Sequence, residues 1–201
     1  MDDLSLSLEQ GDHALLLGPS GSGKSTLLNI ICGLQQPDKG VVYIDGDTIA
    51  DAGGATSADA VRRKSLGIVF QTLRLVSALS LRANLELAQR LQCGSVDSAA
   101  IDESLERLDI AHRADAKPHQ LSQGEAQRAA IARAVVVKPR LLIADEPTSA
   151  LDGNNAERVA QLLLDMAESI DASLLIATHD ERLQSFFPSN FRLAEGKVSP
   201  C

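Results

Sequence analysis

The sequence predicts an α/β fold: a parallel sheet flanked by helices, with a small antiparallel β layer beside it and a helical subdomain inserted into the core. Three observations carry that expectation. Short apolar runs at residues 14–17, 66–70, 141–144 and 174–177 are each followed by glycine-rich or polar chain, as strands are whose carboxyl ends carry chemistry. Residues 80–110 instead space Leu81, Leu85, Leu87, Leu91, Ile101, Leu105 and Leu108 as helix faces and contain no strand-like run. Finally, 44% of the chain is hydrophobic but only 2% aromatic, with no Trp. The core is therefore built from Leu, Ile, Val and Ala, which suits helices packed on a parallel sheet.

The 201 residues suffice for one core and a small appended unit. We expect a single domain over residues 1–201, with 1–71 and 122–201 forming the core and its β layer and 72–121 the helical subdomain. Taken in order, Leu4, Leu6 and Leu8 alternate with polar residues and predict a half-buried strand, which Gln10-Gly11-Asp12 turns into the more continuously apolar strand 14–17. A helix follows. Pro37-Asp38-Lys39-Gly40 then turns into a strand, Val41-Val42-Tyr43-Ile44, and Asp45-Gly46 turns out of it, which predicts the antiparallel layer. Residues 50–59 are small, polar and glycine-containing and predict a loop, and the strand 66–70 ends at Gln71. Beyond the helical block, the strands 141–144 and 174–177 enclose a long helix near 154–169.

Gly18-Pro19-Ser20-Gly21-Ser22-Gly23-Lys24-Ser25-Thr26 lies between the strand 14–17 and the helix-like Leu27-Leu28-Asn29-Ile30-Ile31, and matches G-x-x-x-x-G-K-S/T, the phosphate-binding P-loop. Glycines let the backbone wrap closely enough for successive N–H groups to face a phosphate, at φ values that a Cβ forbids. Lys24 supplies a mobile point charge for the β and γ phosphates, Ser25 a hydroxyl for Mg²⁺, and the helix start a positive dipole end. Asp145 and Glu146 follow the strand 141–144. An Asp there, paired with an upstream phosphate loop, reads as the Walker B group that holds Mg²⁺ directly or through water. Neighbouring strand side chains point to opposite sides, which leaves Glu146 able to accept a proton from, or to orient, the attacking water.

Further motifs fall in a fixed order. Gln71 closes a strand, Leu121-Ser122-Gln123-Gly124-Glu125-Ala126-Gln127-Arg128 stands just upstream of Asp145-Glu146, Ser149-Ala150-Leu151-Asp152 comes just after, and His179 follows the strand 174–177. With the P-loop, these span residues 18–179 and the sequence resembles an ATP-binding cassette (ABC) ATPase, with Gln71 at the Q-loop position, residues 121–128 as the signature, 149–152 as the D-loop and His179 as the switch histidine. The resemblance implies ATP and Mg²⁺ as ligands. It assigns Gly18, Pro19, Ser20, Gly21, Ser22, Gly23, Lys24, Ser25 and Thr26 to the nucleotide, with Ser122, Gly124 and Asp152 as further contacts. Ser25, Gln71 and Asp145 go to the metal, and Glu146, His179 and Gln71 to catalysis, His179 as a γ-phosphate contact that positions water. It also implies a head-to-tail homodimer, each ATP lying between the phosphate loop of one chain and the signature of the other. Ser122 followed by Gly124 at a helix start suits that place, offering a hydroxyl, an N–H and a dipole to the γ phosphate. Hydrolysis would remove the charge joining the halves, and the dimer would open.

The chain departs from the family pattern in two places. Gln123 and Glu125 stand where the signature usually has Gly and Gln, although Ser122-x-x-Glu125 is also a capping box. Family members usually stack adenine on an aromatic residue upstream of the phosphate loop, and residues 1–17 contain none. The expectation is a missing first strand or weaker adenine contacts, with Tyr43 a β-layer residue. Short length without a C-terminal regulatory domain resembles the lipoprotein-releasing, macrolide-exporter and cell-division branch. The implied partner is an integral membrane permease subunit, and the implied location is cytoplasmic, peripheral on the inner face of a bacterial-like cell membrane. Leu73, Leu75, Val76, Leu79 and Leu81 resemble the segment that meets such a subunit, and equally suit the core of the helical subdomain.

Nineteen basic against 27 acidic residues give a net charge of -8, which disfavours a nucleic-acid partner. Cys32, Cys93 and Cys201, widely spaced and without C-x-x-C, suggest reduced thiols. No apolar run approaches the ~18 residues needed to cross a bilayer, and the N-terminus lacks a basic-then-apolar secretion signal. His13, His112 and His119 read as surface residues. A soluble mechanical ATPase acting on DNA or ribosomes would need a long coiled coil or two cassettes, and neither is seen. A non-hydrolysing, nucleotide-dependent interaction protein is disfavoured by intact Lys24, Asp145, Glu146 and His179.

Overall fold

In the computed structural model, which describes residues 4–54, 58–149, 151 and 153–201, the apolar runs become four strands of a six-stranded sheet. β1 (His13–Leu17) leads through the glycine loop into α1 (Lys24–Ile31). β2 (Val41–Ile44) and β3 (Asp47–Asp51) pair antiparallel across Asp45-Gly46, both at positive φ, and form a separate two-stranded layer. α2 (Ala58–Ser65) runs directly into β4 (Leu66–Val69). α3 (Leu81–Cys93), α4 (Ser98–Arg107) and α5 (Gln123–Val135) follow, with no strand between β4 and α5 among the described residues. β5 (Leu141–Asp145), α6 (Gly153–Ser169), β6 (Ser173–Thr178), β7 (Ser189–Ala194) and β8 (Lys197–Pro200) complete the chain.

The strand order is β4-β5-β6-β1-β7-β8, parallel throughout except that β8 turns back antiparallel on β7. Alternation along β1 divides the core. Leu15 and Leu17 pack on one side with Ile131 of α5 and Leu163 of α6, whereas Ala14 and Leu16 pack on the other with Leu27 and Leu28 of α1 and Ile49 of β3. Each leucine fully buried this way contributes about 1.5–3 kcal/mol. The parallel sheet and the antiparallel layer are as the sequence predicts.

Three local expectations are corrected, and two strands are added. Leu4, Leu6 and Leu8 are half-buried and their polar neighbours exposed, but residues 4–9 form no ladder. An alternating pattern specifies two faces, not a hydrogen-bonding partner; here the leucines lie on the α1 side of the core and border a cavity of about 550 Å³ with Leu27, Ile31 and Tyr43. Residues 50–59 are not one loop, because Ala50 and Asp51 finish β3 and Ala58 and Asp59 begin α2, with 55–57 outside the described residues. α2 buries one apolar side chain, Val61, so its periodicity is faint. Leu91 is 64% exposed, since six residues at ~100° each carry it about 240° round the helix from buried Leu85. The terminal strands β7 and β8 are not foreseen at all, their burial being mostly partial.

Gly67 shows why a glycine sits inside a buried strand. A Cβ there would lie 2.4 Å from Ala134 O and 2.8 Å from Pro139 Cγ, because α5 and its exit cross β4 at backbone contact. Gly67→Ala is therefore expected to destabilise the fold by about 1–3 kcal/mol, measured by urea denaturation. Among the described residues, no helix is long and apolar enough to cross a membrane.

Candidate active site

The carboxyl ends of β1, β5 and β6 are neighbours in the sheet, so the segments that leave them converge. The glycine loop leaves β1 under steric pressure: a Cβ on Gly18 would lie 2.5 Å from Leu193 O and 2.7 Å from Ser22 Oγ. Gly21 and Gly23 take φ of 80° and 101°, which L side chains rarely adopt. Lys24 opens α1 and is 5% exposed. Its Nζ donates to Gly18 O at 2.7 Å and Pro19 O at 3.2 Å, and stands 3.2 Å from Glu146 Oε1. Lys24 is thus bound into the loop it follows and at the same time spans to the end of β5.

Ser25 Oγ donates to Asp145 Oδ1 at 3.2 Å. Burial pushes the Asp145 carboxyl above the usual carboxylate range, with the nearby Glu146 charge adding, while the Ser25 hydrogen bond and Lys24 oppose. A part-buried carboxylate beside a hydroxyl is a hard-oxygen pair that a small dication satisfies, so these residues fit Mg²⁺. No group of three or more His, Cys, Asp or Glu able to hold a metal occurs among the described residues. The protein would supply only part of the coordination, as is usual when a magnesium ion is shared with phosphate.

Glu146 lies just past β5 and takes φ 47°, a left-handed conformation uncommon for a residue with a Cβ, with its N–H donating to Ala177 O at 2.8 Å. Its carboxylate is 11% exposed. Oε2 accepts from Thr178 Oγ1 at 3.2 Å and lies 2.9 Å from His179 Nδ1, while Oε1 faces Lys24. Strand alternation is therefore not what separates the two acids. The backward twist at Glu146 does so, sending Asp145 to Ser25 and Glu146 to Lys24, Thr178 and His179. The contact with Thr178 is missed from sequence; the available signal is a hydroxyl closing an otherwise apolar strand.

Gln71 is exposed beyond β4, donates to Ser149 Oγ at 3.4 Å, and is bonded to neither Ser25 nor Asp145. Ala150 and Asp152 of the 149–152 motif lie outside the described residues. Ser122 caps α5 and Gly124 is exposed in its first turn. No hydrogen bond or ion pair joins Ser122, Gly124 or Glu125 to the phosphate loop, Asp145, Glu146 or His179 of the same chain. One chain thus assembles the loop, the acids and His179, and leaves residues 122–124 facing elsewhere. His112 and His119 are exposed as expected, but His13 is not a surface residue: its side chain is 14% exposed, 4.0 Å from Glu168. All three cysteines are free, and burial raises the Cys32 thiol to about 12.

The family model described as ABC transporter matches residues 1–149. The lipoprotein-releasing system ATP-binding protein LolD of Francisella tularensis subsp. tularensis (strain SCHU S4 / Schu 4) is 35% identical over 201 residues, 98% of this chain and 87% of that protein. Among solved structures, the dimeric ABC transporter cassette MJ0796 superposes with a TM-score of 0.86 at 34% identity, covering 98% of this chain and 87% of that one. The same cassette, as a dimer in a post-hydrolysis state bound to ADP and Pi, gives 0.85 at 34% identity, with 98% and 87% covered. The protein cbiO1 from Clostridium perfringens, part of the ABC transporter complex cbiONQ, gives 0.84 at 30% identity, with 96% and 78% covered.

Proposed function

The chain belongs to the ABC transporter family as an ATP-hydrolysing, dimer-forming ATP-binding cassette, and we propose that Glu146 is the base that activates water at the γ phosphate. The observation that carries this reading is the convergence of Lys24, Thr178 and His179 on one nearly buried carboxylate. The triphosphate carries more negative charge than Glu146 and competes for Lys24, which leaves the carboxylate free to take a proton. Water oxygen then bonds to the γ phosphorus, the bond from that phosphorus to the bridging oxygen breaks, and the proton goes to Glu146. Thr178 holds the carboxylate in place, and His179, half exposed beside it, contacts the γ phosphate. Ser25, Asp145 and Gln71 would hold Mg²⁺, which would supply charge neutralisation at the phosphate oxygens.

Ser122 and Gly124 are assigned to the ATP of a second copy, with Asp152 as a further contact at the same boundary, because within one chain residues 122–124 meet none of the groups above. The domain divides into a core of 1–71 and 122–201 and a helical subdomain of 72–121. The working partner is an integral membrane permease, and the cassette sits on the inner face of the cell membrane, in keeping with one relative named as the ATP-binding protein of a lipoprotein-releasing system and another as part of an ABC transporter complex.

Crosslinking tests the head-to-tail arrangement. In a chain whose exposed thiols are removed by Cys93→Ser and Cys201→Ser, Ser20→Cys and Gln123→Cys are introduced on separate, tagged copies. Mg²⁺-ATP is expected to raise the yield of the mixed disulfide between copies about tenfold or more over ADP. Equal yields with both nucleotides would remove the signature from the site.

A further inference from the structure

Glu125 places a carboxylate in the first turn of α5, beside the groups assigned above to a partner's phosphate. Acid at a helix N-terminus favours the helix, yet opposes an incoming polyanion. Both halves of the capping box form: Glu125 Oε2 accepts from the Ser122 N–H at 2.7 Å, and Ser122 Oγ accepts from the Glu125 N–H at 3.3 Å. On the other side, Arg113, ending the 3-10 turn Ala111–Arg113, donates Nε to Oε1 at 2.6 Å and Nη2 to Oε2 at 3.4 Å. His112 Nε2 lies 3.5 Å from Oε1. The Arg113 bond, then the Ser122 backbone N–H, hold the Glu125 carboxyl down to about 2, so it is ionised wherever the protein works. Its side chain is 17% exposed, whereas Ser122, Gln123 and Gly124 are all exposed. Gln123 and Gly124 occupy the first two helical positions, whose N–H groups have no partner within a helix.

We propose that Arg113 is a positioning residue for ATP-driven pairing. Its guanidinium neutralises Glu125, whose carboxylate stays folded back onto the Ser122 N–H, so that Ser122 and Gly124 can receive triphosphate despite an acid in the signature. Gln at this position would need no such partner. Arg113 touches no substrate and acts only through Glu125. The proposal rests on the reading of Ser122 and Gly124 as phosphate contacts.

The test is charge rescue. Pairing is followed by light scattering against Mg²⁺-ATP concentration in the Glu146→Gln chain, and KM for ATP is measured separately in the otherwise unaltered chain. Arg113→Gln is expected to raise both the half-maximal concentration and KM about tenfold at low salt, with kcat nearly unchanged. Adding Glu125→Gln is expected to bring both back to within about twofold, and ~0.5 M salt to shrink the Arg113→Gln deficit by screening the uncovered charge. Arg113→Lys, which keeps the charge without the fork, should fall nearer the parent and covers the case in which Arg113→Gln folds poorly. If Arg113 merely tethers the turn to α5, Glu125→Gln restores nothing and salt does not help; that result overturns the proposal. Gly124→Asp separates the two readings, since a Cβ at Gly124 meets open space and the variant can fold. Normal pairing by Gly124→Asp removes the phosphate reading itself. Failure to pair there, alongside parent-like pairing by Arg113→Gln, removes the Arg113 proposal alone.

Discussion

Glu146→Gln is expected to lower the ATPase rate by about 10²–10⁴-fold while the chain still binds ATP and accumulates as a nucleotide-bound dimer, the loss being that of a general base. Gln is nearly isosteric, and its amide oxygen can still accept from Thr178, which donates to Glu146 at 3.2 Å. What it lacks is the ability to take a proton. Lys24 keeps its two bonds to Gly18 O and Pro19 O, so the phosphate loop retains its shape. The charge that joins two copies then persists because nothing removes it. Size-exclusion chromatography with Mg²⁺-ATP, beside a phosphate-release assay, checks both halves. Residual turnover within about threefold of the parent would mean that Glu146 is not the base, and a monomer at saturating ATP would mean that ATP does not join the copies.

Strands β1, β4, β5 and β6 and the glycine loop are legible in the sequence because each is a continuous local signal. Leu15, Leu16 and Leu17 are fully buried, and the phosphate loop must follow where such a strand stops. Ser25 on Asp145, and Lys24 on Glu146, are legible only as roles; the contacts exist because β1 and β5 flank β6, an order that residue spacing does not encode. Strand alternation predicts that Glu146 differs from Asp145. It differs instead through a left-handed φ of 47°, which no neighbouring residue announces. Leu4, Leu6 and Leu8 mark the opposite limit, since their pattern determines which side chains turn inward and cannot supply a partner strand. Glu125 lies between these cases. Its capping box is readable from Ser122 three residues before it, but Arg113, twelve residues away across a turn and a helix start, is not.

Lys24→Ala is expected to remove ATPase activity and weaken ATP binding by at least about tenfold, and it carries a second effect that the phosphate role alone does not foresee. Lys24 and Glu146 are 5% and 11% exposed, so the pair is largely desolvated. Removing the cation leaves a nearly buried carboxylate with Thr178 and His179 beside it among the described residues. Breaking one side of such a pair costs about 3 kcal/mol, a large share of the roughly 5–15 kcal/mol that typically separates folded from unfolded chains. Lys24→Ala should therefore lower the urea midpoint without nucleotide present. Adding Glu146→Gln should recover most of that stability, because the uncompensated charge is gone, yet recover none of the ATP affinity. Nucleotide titration by calorimetry and urea denaturation of the two single variants and the double variant separate the terms. If the double variant is no more stable than Lys24→Ala, the contact between Lys24 and Glu146 is not an electrostatic pair of consequence, and Lys24 serves the phosphate alone.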